Sequence, residues 1–191
     1  GEALRRAKLA LLDCLGVAVA GALHPSSRLL LDYIQDSGGA PQATVAGTGL
    51  KTSLSDAALA NGMLSAALLY DDTCLAMHGH ASSTLLPVIL GLGEYRRLSG
   101  RELLAAYMIG FEVESAIGLS VEPEHYEKGW HATSTVGSLG ASAAACRLLG
   151  ATKDQVRMAL CIATSLTGGS RQNFGTMVQA FHAGMAARNG V

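Results

Sequence analysis

A polar segment between two apolar stretches, residues 70–83, holds most of the side chains with which this chain could do chemistry. They are Asp71, Asp72, Thr73, His78, His80, Ser82 and Ser83. Only 15% of the chain is charged, so adjacent aspartates followed by a His-Gly-His sequence are unusual for an ordinary solvent-facing loop. Carboxylates and imidazoles exchange protons, and the segment leads into a predicted helix, whose N-terminus attracts anions. The composition therefore indicates catalysis or ligand binding, against the alternative of a capped loop between two helices.

Two histidines share one local context, each lying a few residues before a predicted helix start. His80 precedes two serines at positions 82–83, and His131 precedes the Thr-Ser-Thr sequence at 133–135. Backbone N–H groups at a helix N-terminus bind a carboxylate, and an imidazole beside it can move a proton on the α-carbon or the leaving group. The pattern predicts a site for a small carboxylic acid. The alternative is that both histidines are capping-loop residues bonded to the backbone.

Spacing alone does not assign the remaining candidates a role. Asp71 and Asp72 could act as a base, orient a histidine or cap a helix. With His78 and His80 they could instead bind a divalent metal, although alternate histidines in a glycine loop lack the i,i+4 presentation of helical metal motifs. We therefore predict no metal. His182 lies inside a predicted helix, where a core role and a site role both stay open.

The composition favours one helical domain. The chain has 191 residues, enough to bury a sizeable core. Hydrophobic residues make up 49%, aromatics only 5%, and there are 23 glycines, which suits closely packed helices with small residues at their contacts. The net charge is −1 and no cluster of Lys and Arg with interleaved aromatics occurs, so the electrostatic footprint of a nucleic-acid binder is missing. We expect an all-α fold and no nucleic-acid partner.

Cysteine spacing and hydropathy bear on the cellular setting. The four cysteines are widely spaced without a C-x-x-C pair, which predicts free thiols in a reducing cytoplasm. The basic start followed by apolar residues resembles a secretory signal, but Asp13 lies inside the would-be apolar core, so we predict an amphipathic first helix. No uncharged apolar run reaches the roughly 18 residues of a membrane span, and we expect no membrane association.

Helical periodicity and capping signals predict a bundle of about eight helices. The clearest starts are capping boxes at Ser99 and Thr152. Further starts are predicted at Ser26 or Ser27, at Ser53, at Ser82 or Ser83, and within residues 173–176.

Three local predictions concern other positions. The short β-branched run at residues 43–47, bounded by Pro and Gly, predicts an extended segment or at most one small strand, and no sheet. Glu112 and Glu114, in the long helix after Ser99, are predicted to face solvent or a neighbouring subunit. For Trp130 a plain core role is left open.

Stretches along nearly the whole chain resemble the MmgE/PrpD family, which includes 2-methylcitrate dehydratase, cis-aconitate decarboxylase and iminodisuccinate epimerase. The matching stretches are residues 12–21, 60–62, 70–73, 80–82, 86–87, 110–113, 129–134, 175–177, 182–184 and 186–190. No single stretch is specific, yet their order and spacing together are. Residues 79–83 and 173–177 look most like the iminodisuccinate epimerase type.

The resemblance implies a cofactor-independent enzyme with a large helical domain and a smaller α/β domain, usually dimeric, whose active site lies between them. This chain resembles the helical domain alone over residues 1–191, so we expect an N-terminal fragment of a longer cytoplasmic protein, a homodimer with a small carboxylic acid as substrate. Thr73, His80 and His131 match positions that line the family's active site. Three departures occur: Gln179 stands where the family usually has a lysine, Leu69 where an aspartate is frequent, and Ala81 where a proline is usual.

Residues and resemblance together give the following predictions. The predicted catalytic residues are His80, His131, Asp72 and Thr73, and the predicted substrate-binding residues are Asp71, Ser82, Gln179 and His182. The leading hypothesis is a lyase or isomerase that transfers a proton next to a carboxylate, giving dehydration, decarboxylation or epimerisation. One alternative is a catalytically silent helical module that dimerises or binds a carboxylate, and another is a metal-dependent hydrolase.

Overall fold

The computed structural model describes all residues, 1–191, and contains nine α-helices and one small hairpin. The helices are α1 (Glu2–Gly21), α2 (Pro25–Ser37), α3 (Leu54–Ala66), α4 (Ser82–Arg96), α5 (Gly100–Val121), α6 (Glu124–Glu127), α7 (Ala132–Leu149), α8 (Lys153–Leu166) and α9 (Met177–Gly190). The hairpin pairs β1 (Ala43–Thr44) with β2 (Lys51–Thr52), and a 3₁₀ turn, Arg171–Asn173, precedes α9. The predicted all-α bundle is confirmed.

Four helices, α3, α4, α7 and α9, form the centre of the fold. They are apolar or small-residue-rich around most of their circumference, as expected of helices enclosed on all sides. A Cβ added to Gly62 would lie 2.7 Å from the Cα of Gly184, so α3 and α9 cross almost backbone to backbone. Helix α7 packs against both α5 and α9. This packing sets the start of α7 beside a side chain of α9.

The remaining long helices lie around this centre. α1 and α2 meet at 81° and enclose a cluster with α3 that includes Ala18, Ile34 and Leu64. α5 alone has the length and apolar composition of a membrane span, with 28% of its apolar window buried, and α1 with α2 passes the same test only as one bent span. One such helix is weak evidence of a membrane span, because core helices of soluble proteins pass the same test.

Capping explains where the helices begin. The predicted boxes are confirmed: the Ser99 and Thr152 side chains each accept from the backbone three residues on, and a Glu or Gln there reaches back. α2 was predicted to be capped by Ser26 or Ser27, which is wrong. The helix begins at the proline at position 25, which is favoured at the first helical position. His24 is therefore the N-cap, and its side chain accepts a 3.3 Å bond from the Ser26 N–H.

Three other local predictions need correction. The segment at 43–47 was predicted to form no sheet, but its strand β1 pairs with β2, with Ala43 opposite Thr52. The pairing forms because Lys51 and Thr52 are also extended. Glu114 does not face solvent: it is fully buried, since Gly140 across from it on α7 has no side chain. Trp130 is not a core residue, being 45% exposed and stacked on His125 with ring centroids 6.2 Å apart.

Candidate active site

The N-terminus of α7 is the centre of the candidate site. His131 occupies the N-cap position with an extended backbone, and no side chain caps the helix. Its N–H donates to the carbonyl of Gly169 at 3.0 Å, and Trp130 forms a bridge with Ser170, so two short extended segments hold it. The first N–H groups of α7 thus have no side-chain acceptor beside the imidazole.

The imidazole of His131 is hydrogen-bonded to that of His182 on α9. The two Nδ1 atoms are 3.0 Å apart, the ring centroids 5.3 Å, and both residues are buried. The edge of Phe174 packs on the His131 ring at 4.8 Å. The structure thus brings together two predicted site histidines that lie 51 residues apart in the chain.

The contact between the two rings determines which of their nitrogen atoms carry protons. Of two facing Nδ1 atoms, one donates a proton and the other accepts it. The donating ring then has a bare Nε2, which can act as a base. The accepting ring carries its proton on Nε2 and can act as a donor. The pair therefore offers one base and one acid. When the base takes a proton on its Nε2, the shared proton can pass to the second ring, which then releases its own Nε2 proton.

Burial keeps both rings neutral. Desolvation, followed by the proximity of His182 and His80, lowers the pKa of His131 to about 3. Desolvation also lowers the pKa of His182. At neutral pH the pair is thus uncharged, which is the state in which one ring can accept a proton from a substrate.

His80 is held beside the start of α7 by three contacts. Its Nδ1 donates to the carbonyl of Asp72 at 2.8 Å, which fixes that tautomer, and its backbone N–H donates to Thr133 Oγ1 at 3.0 Å. The Asp71 carboxyl lies 3.6 Å from Nδ1, is buried, and makes no other side-chain bond. Desolvation raises the pKa of Asp71, and the charge of His80 opposes this in part. Asp71 is placed to stabilise a positive charge on His80.

Asp72 caps α4 from a distance. Its Oδ1 accepts from the Ser82 N–H at 3.0 Å and its Oδ2 from the Ser82 hydroxyl at 2.5 Å. Tyr107 OH lies 2.8 Å from the same hydroxyl and donates to it. The predicted cap of α4 by Ser82 or Ser83 is therefore wrong, because Ala81 is the N-cap residue and Asp72 supplies the acceptor. The catalytic role of Asp72 and the substrate role of Ser82 stay predictions, with the carboxylate committed to this cap.

Gln179 lies one turn before His182 on the same side of α9. Its Oε1 accepts from the Gly175 N–H at 2.8 Å, which orients the amide and leaves its NH₂ group without a partner in the chain. Gln179 and Leu69 line one cavity of about 220 Å³. Two of the three departures from the family's pattern thus occur in the same cavity.

The structure does not bring Thr73 to the histidines. Thr73 is exposed and lines a different cavity of about 400 Å³ between α1 and α5, together with Asp72 and Tyr107. Its catalytic role stays a prediction without a supporting contact.

The four residues weighed as metal ligands do not converge. His78 Nδ1 instead pairs with Glu122 Oε2 at 3.1 Å, and no group of three or more His, Cys, Asp or Glu side chains has an arrangement that could hold a metal ion. The hydrolase alternative therefore has no geometric basis here.

Sequence reasoning missed two residues that shape the site. Thr133 holds the backbone of His80, and Gly169, with φ of +124°, leaves room where a Cβ would lie 2.7 Å from that of Ser134. A threonine after a helix start carries no signal of a long-range contact.

Comparison with known proteins agrees with this architecture. The family model for the MmgE/PrpD N-terminal domain matches residues 1–191. Cis-aconitate decarboxylase of Mus musculus is 32% identical over 194 residues, which cover 98% of this chain and 40% of that protein. The Homo sapiens protein of the same name is 31% identical over 194 residues, with the same shares.

A fungal relative gives the same result. Cis-aconitate decarboxylase of Aspergillus terreus is 30% identical over 197 residues, covering 100% of this chain and 40% of that protein. The chain spans about 40% of the length of these curated relatives. With the whole of residues 1–191 matched by the model of its N-terminal domain, the chain belongs to the MmgE/PrpD family.

Proposed function

We propose that this chain supplies the proton-transfer residues of a lyase or isomerase that acts on a small carboxylic acid. The observation that carries the proposal is the buried, hydrogen-bonded pair of His131 and His182 at the uncapped start of α7. The reaction class is proton transfer next to a carboxylate, as in dehydration, decarboxylation or epimerisation.

The roles follow from the geometry. A substrate carboxylate at the start of α7 meets unpaired backbone N–H groups. The ring of the pair with the bare Nε2 removes the proton, and the second ring or His80 returns one. Asp71 supports the charge that His80 acquires, at an Oδ2–Nδ1 distance of 3.6 Å. Correctly placed acid–base groups of this kind typically contribute about 10²–10⁴-fold to a rate.

The relatives support a carboxylate substrate. Those named above are cis-aconitate decarboxylases. We extend to this chain only the general chemistry, a lyase or isomerase of a di- or tricarboxylate. A homodimer in the cytoplasm is part of the same proposal.

The test measures binding and proton exchange in parallel. Calorimetry with citrate-like and aspartate-like carboxylates is expected to give affinities in the millimolar range at best, because Gln179, one turn before His182, supplies a neutral amide and no cation. His131→Ala is expected to weaken binding at least several-fold. His78→Ala, which removes a half-exposed imidazole paired with Glu122, is the control and should leave binding unchanged.

Exchange of the ligand's α-proton in heavy water separates an enzyme from a binding module. Exchange that disappears in both His131→Ala and His182→Ala supports the proton-transfer roles. Binding without exchange favours the second candidate function, a carboxylate-binding module, for which the uncharged cavity of Leu69 and Gln179 is the supporting observation. Equal binding by wild type and His131→Ala overturns the placement of the site.

A further inference from the structure

Arg171, at the start of the 3₁₀ turn before α9, is a partly buried cation without an ion pair. The lysines and arginines that do form salt bridges lie elsewhere in the chain. The Nε atom of Arg171 is buried and has no hydrogen-bond acceptor. Because a guanidinium group removed from water is costly unless other groups contact it, its actual contacts indicate what it is there to hold.

Tyr126 contacts the guanidinium group in two ways. Its carbonyl accepts from Arg171 Nη1 at 2.7 Å, and its ring centroid lies 3.5 Å from the Cζ atom. The backbone N–H of Arg171 also donates to the Gly129 carbonyl at 2.9 Å. Arg171 thus joins the turn before His131 to the segment at 169–174 through both its backbone and its side chain.

Phe174 connects this contact to the histidine pair. The Arg171 Cζ atom lies 5.7 Å from the centroid of the Phe174 ring, within the roughly 6 Å of a cation–π contact. The Phe174 and His131 rings meet edge to face, with centroids 4.8 Å apart. The His131 Nδ1 in turn lies 3.0 Å from that of His182. An unbroken series of contacts therefore runs from the guanidinium group to the shared proton.

The orientation of the His131 ring needs such a neighbour. The bond from the His131 N–H to the Gly169 carbonyl fixes the backbone and leaves the ring free to turn. The torsion between Cβ and an imidazole ring is broad, and a hydrogen bond weakens steeply as its angle departs from linear. The bond between the two Nδ1 atoms therefore depends on the side chains that restrict this torsion, and Phe174 is one of them.

We propose that Arg171 is a positioning residue for the histidine pair. Its guanidinium group keeps Phe174 against the His131 imidazole, in the orientation in which the two Nδ1 atoms share a proton. A planar guanidinium group can stack on a ring and donate hydrogen bonds in its own plane, which an ammonium group cannot do. The consequence for catalysis rests on the proposed function, whereas the consequence for the shared proton does not.

Exchange of the shared Nδ1 proton with solvent measures this positioning, by NMR of the chain labelled with ¹⁵N-histidine. We expect Arg171→Met to speed the exchange at least about tenfold, because the bond then opens more often. Arg171→Lys, which keeps the charge without the planar group, should give a smaller increase. Arg157→Met, at an exposed position of α8, is the control and should leave the rate unchanged.

Phe174→Leu tests the route of the effect. It should speed the exchange by a similar factor, and adding Arg171→Met to it should change the rate less than about twofold, since both substitutions break one series of contacts. If Arg171→Met does not fold, Arg171→Lys and Phe174→Leu decide the question. A rate that no Arg171 variant changes, or factors that multiply in full in the double variant, overturns the positioning role.

Two further outcomes bear on the inference. A wild-type proton that already exchanges as fast as that of the half-exposed His78 ring overturns it, because the pair would then not be held. A shared proton that responds to Arg171→Met in a chain that binds no succinate keeps the inference and removes the proposed function. Succinate binding and α-proton exchange in a chain whose shared proton does not respond give the reverse result.

Discussion

At the scale of single residues, Glu114 shows how the fold sets a protonation state. Its carboxyl lies fully buried between α4, α5 and α7, with Thr84 Oγ1 2.7 Å from Oε1 and no partner on Oε2. The Thr84 hydroxyl also lies 2.8 Å from the Ala81 carbonyl, and it has only one proton. When Thr84 donates to Ala81, the bond to Glu114 requires a proton on the carboxyl group. No cation pairs with Glu114, so the neutral acid is the less costly form.

The linked pH dependence has a definite sign. Desolvation raises the pKa of Glu114 well above its ordinary 4.5, and the nearby Cys74 and Asp72 raise it further. Above about pH 4.5 the unfolded chain loses this proton and the folded chain keeps it, so rising pH favours the unfolded state. Glu114→Gln should therefore gain stability relative to wild type, by up to about 1.4 kcal/mol per pH unit above that point.

Urea unfolding of both proteins from pH 5 to pH 8 measures the effect. Glu112→Gln, at an exposed position on the same helix, is the control and should show a pH-independent difference from wild type. Parallel stability curves for Glu114→Gln and wild type would mean that the buried carboxyl is ionised in the folded chain.

Local sequence context explains which site residues could be predicted from the sequence. His80 and His131 are recognisable because each precedes Ser and Thr residues at a predicted helix start within a few positions. The contact between His131 and His182 spans 51 residues, and no periodicity indicates it. The burial of Glu114 depends on the missing side chain of Gly140, a property of the opposing helix. These misses all arise from long-range packing.

At the scale of helices, the crossing of α3 and α9 positions His182. A Cβ on Gly62 would lie 2.7 Å from the Cα of Gly184 and 2.9 Å from the carbonyl of Ala183, directly after the histidine. These neighbours are backbone atoms, so the helices themselves would have to separate. The small residues at this contact therefore fix the distance between α3 and α9 beside His182.

Gly62→Ala should destabilise the chain by on the order of 1–3 kcal/mol through overpacking, despite the better helix propensity of alanine. Gly100→Ala, where an added Cβ meets nothing within 4 Å, is the matched control and should be neutral or slightly stabilising. Thermal unfolding of the two variants compares them directly. Stabilisation by both substitutions would be incompatible with a tight crossing.

Helix starts differ in how far their signals extend along the sequence. The boxes at Ser99 and Thr152 are complete within four residues, and both are predicted correctly. The cap of α4 comes from Asp72, ten residues before Ser82, through a loop whose path the sequence does not specify. The same loop carries His80. The cap of α4 could therefore not be predicted, because a loop brings Asp72 to it.

At the scale of the whole molecule, α1 and the turn after it present an apolar stripe opposite the buried face of α1. The stripe comprises Leu9, Leu12, Val19 and Leu23, with Gly16 at its centre. Their spacing of three and four residues is that of a seam between two packed helices. Leu12 and Leu23 are 68% and 71% exposed, and a Cβ on Gly16 meets nothing within 4 Å, so a second helix can approach closely there.

We propose that a second copy of this chain covers the stripe, with the two α1 helices crossing near Gly16, which would form the expected homodimer. The wild type should elute with the mass of a dimer in light-scattering chromatography at micromolar concentration, and Leu12→Lys with Val19→Lys should give a monomer with unchanged helical circular dichroism. Asp36→Lys, which adds positive charge at an exposed position of α2, should remain dimeric.

A wild-type monomer over that concentration range would contradict the proposal. A dimer that persists in the double variant would place the interface elsewhere, since lysines facing each other in an apolar seam cost more than the stripe contributes.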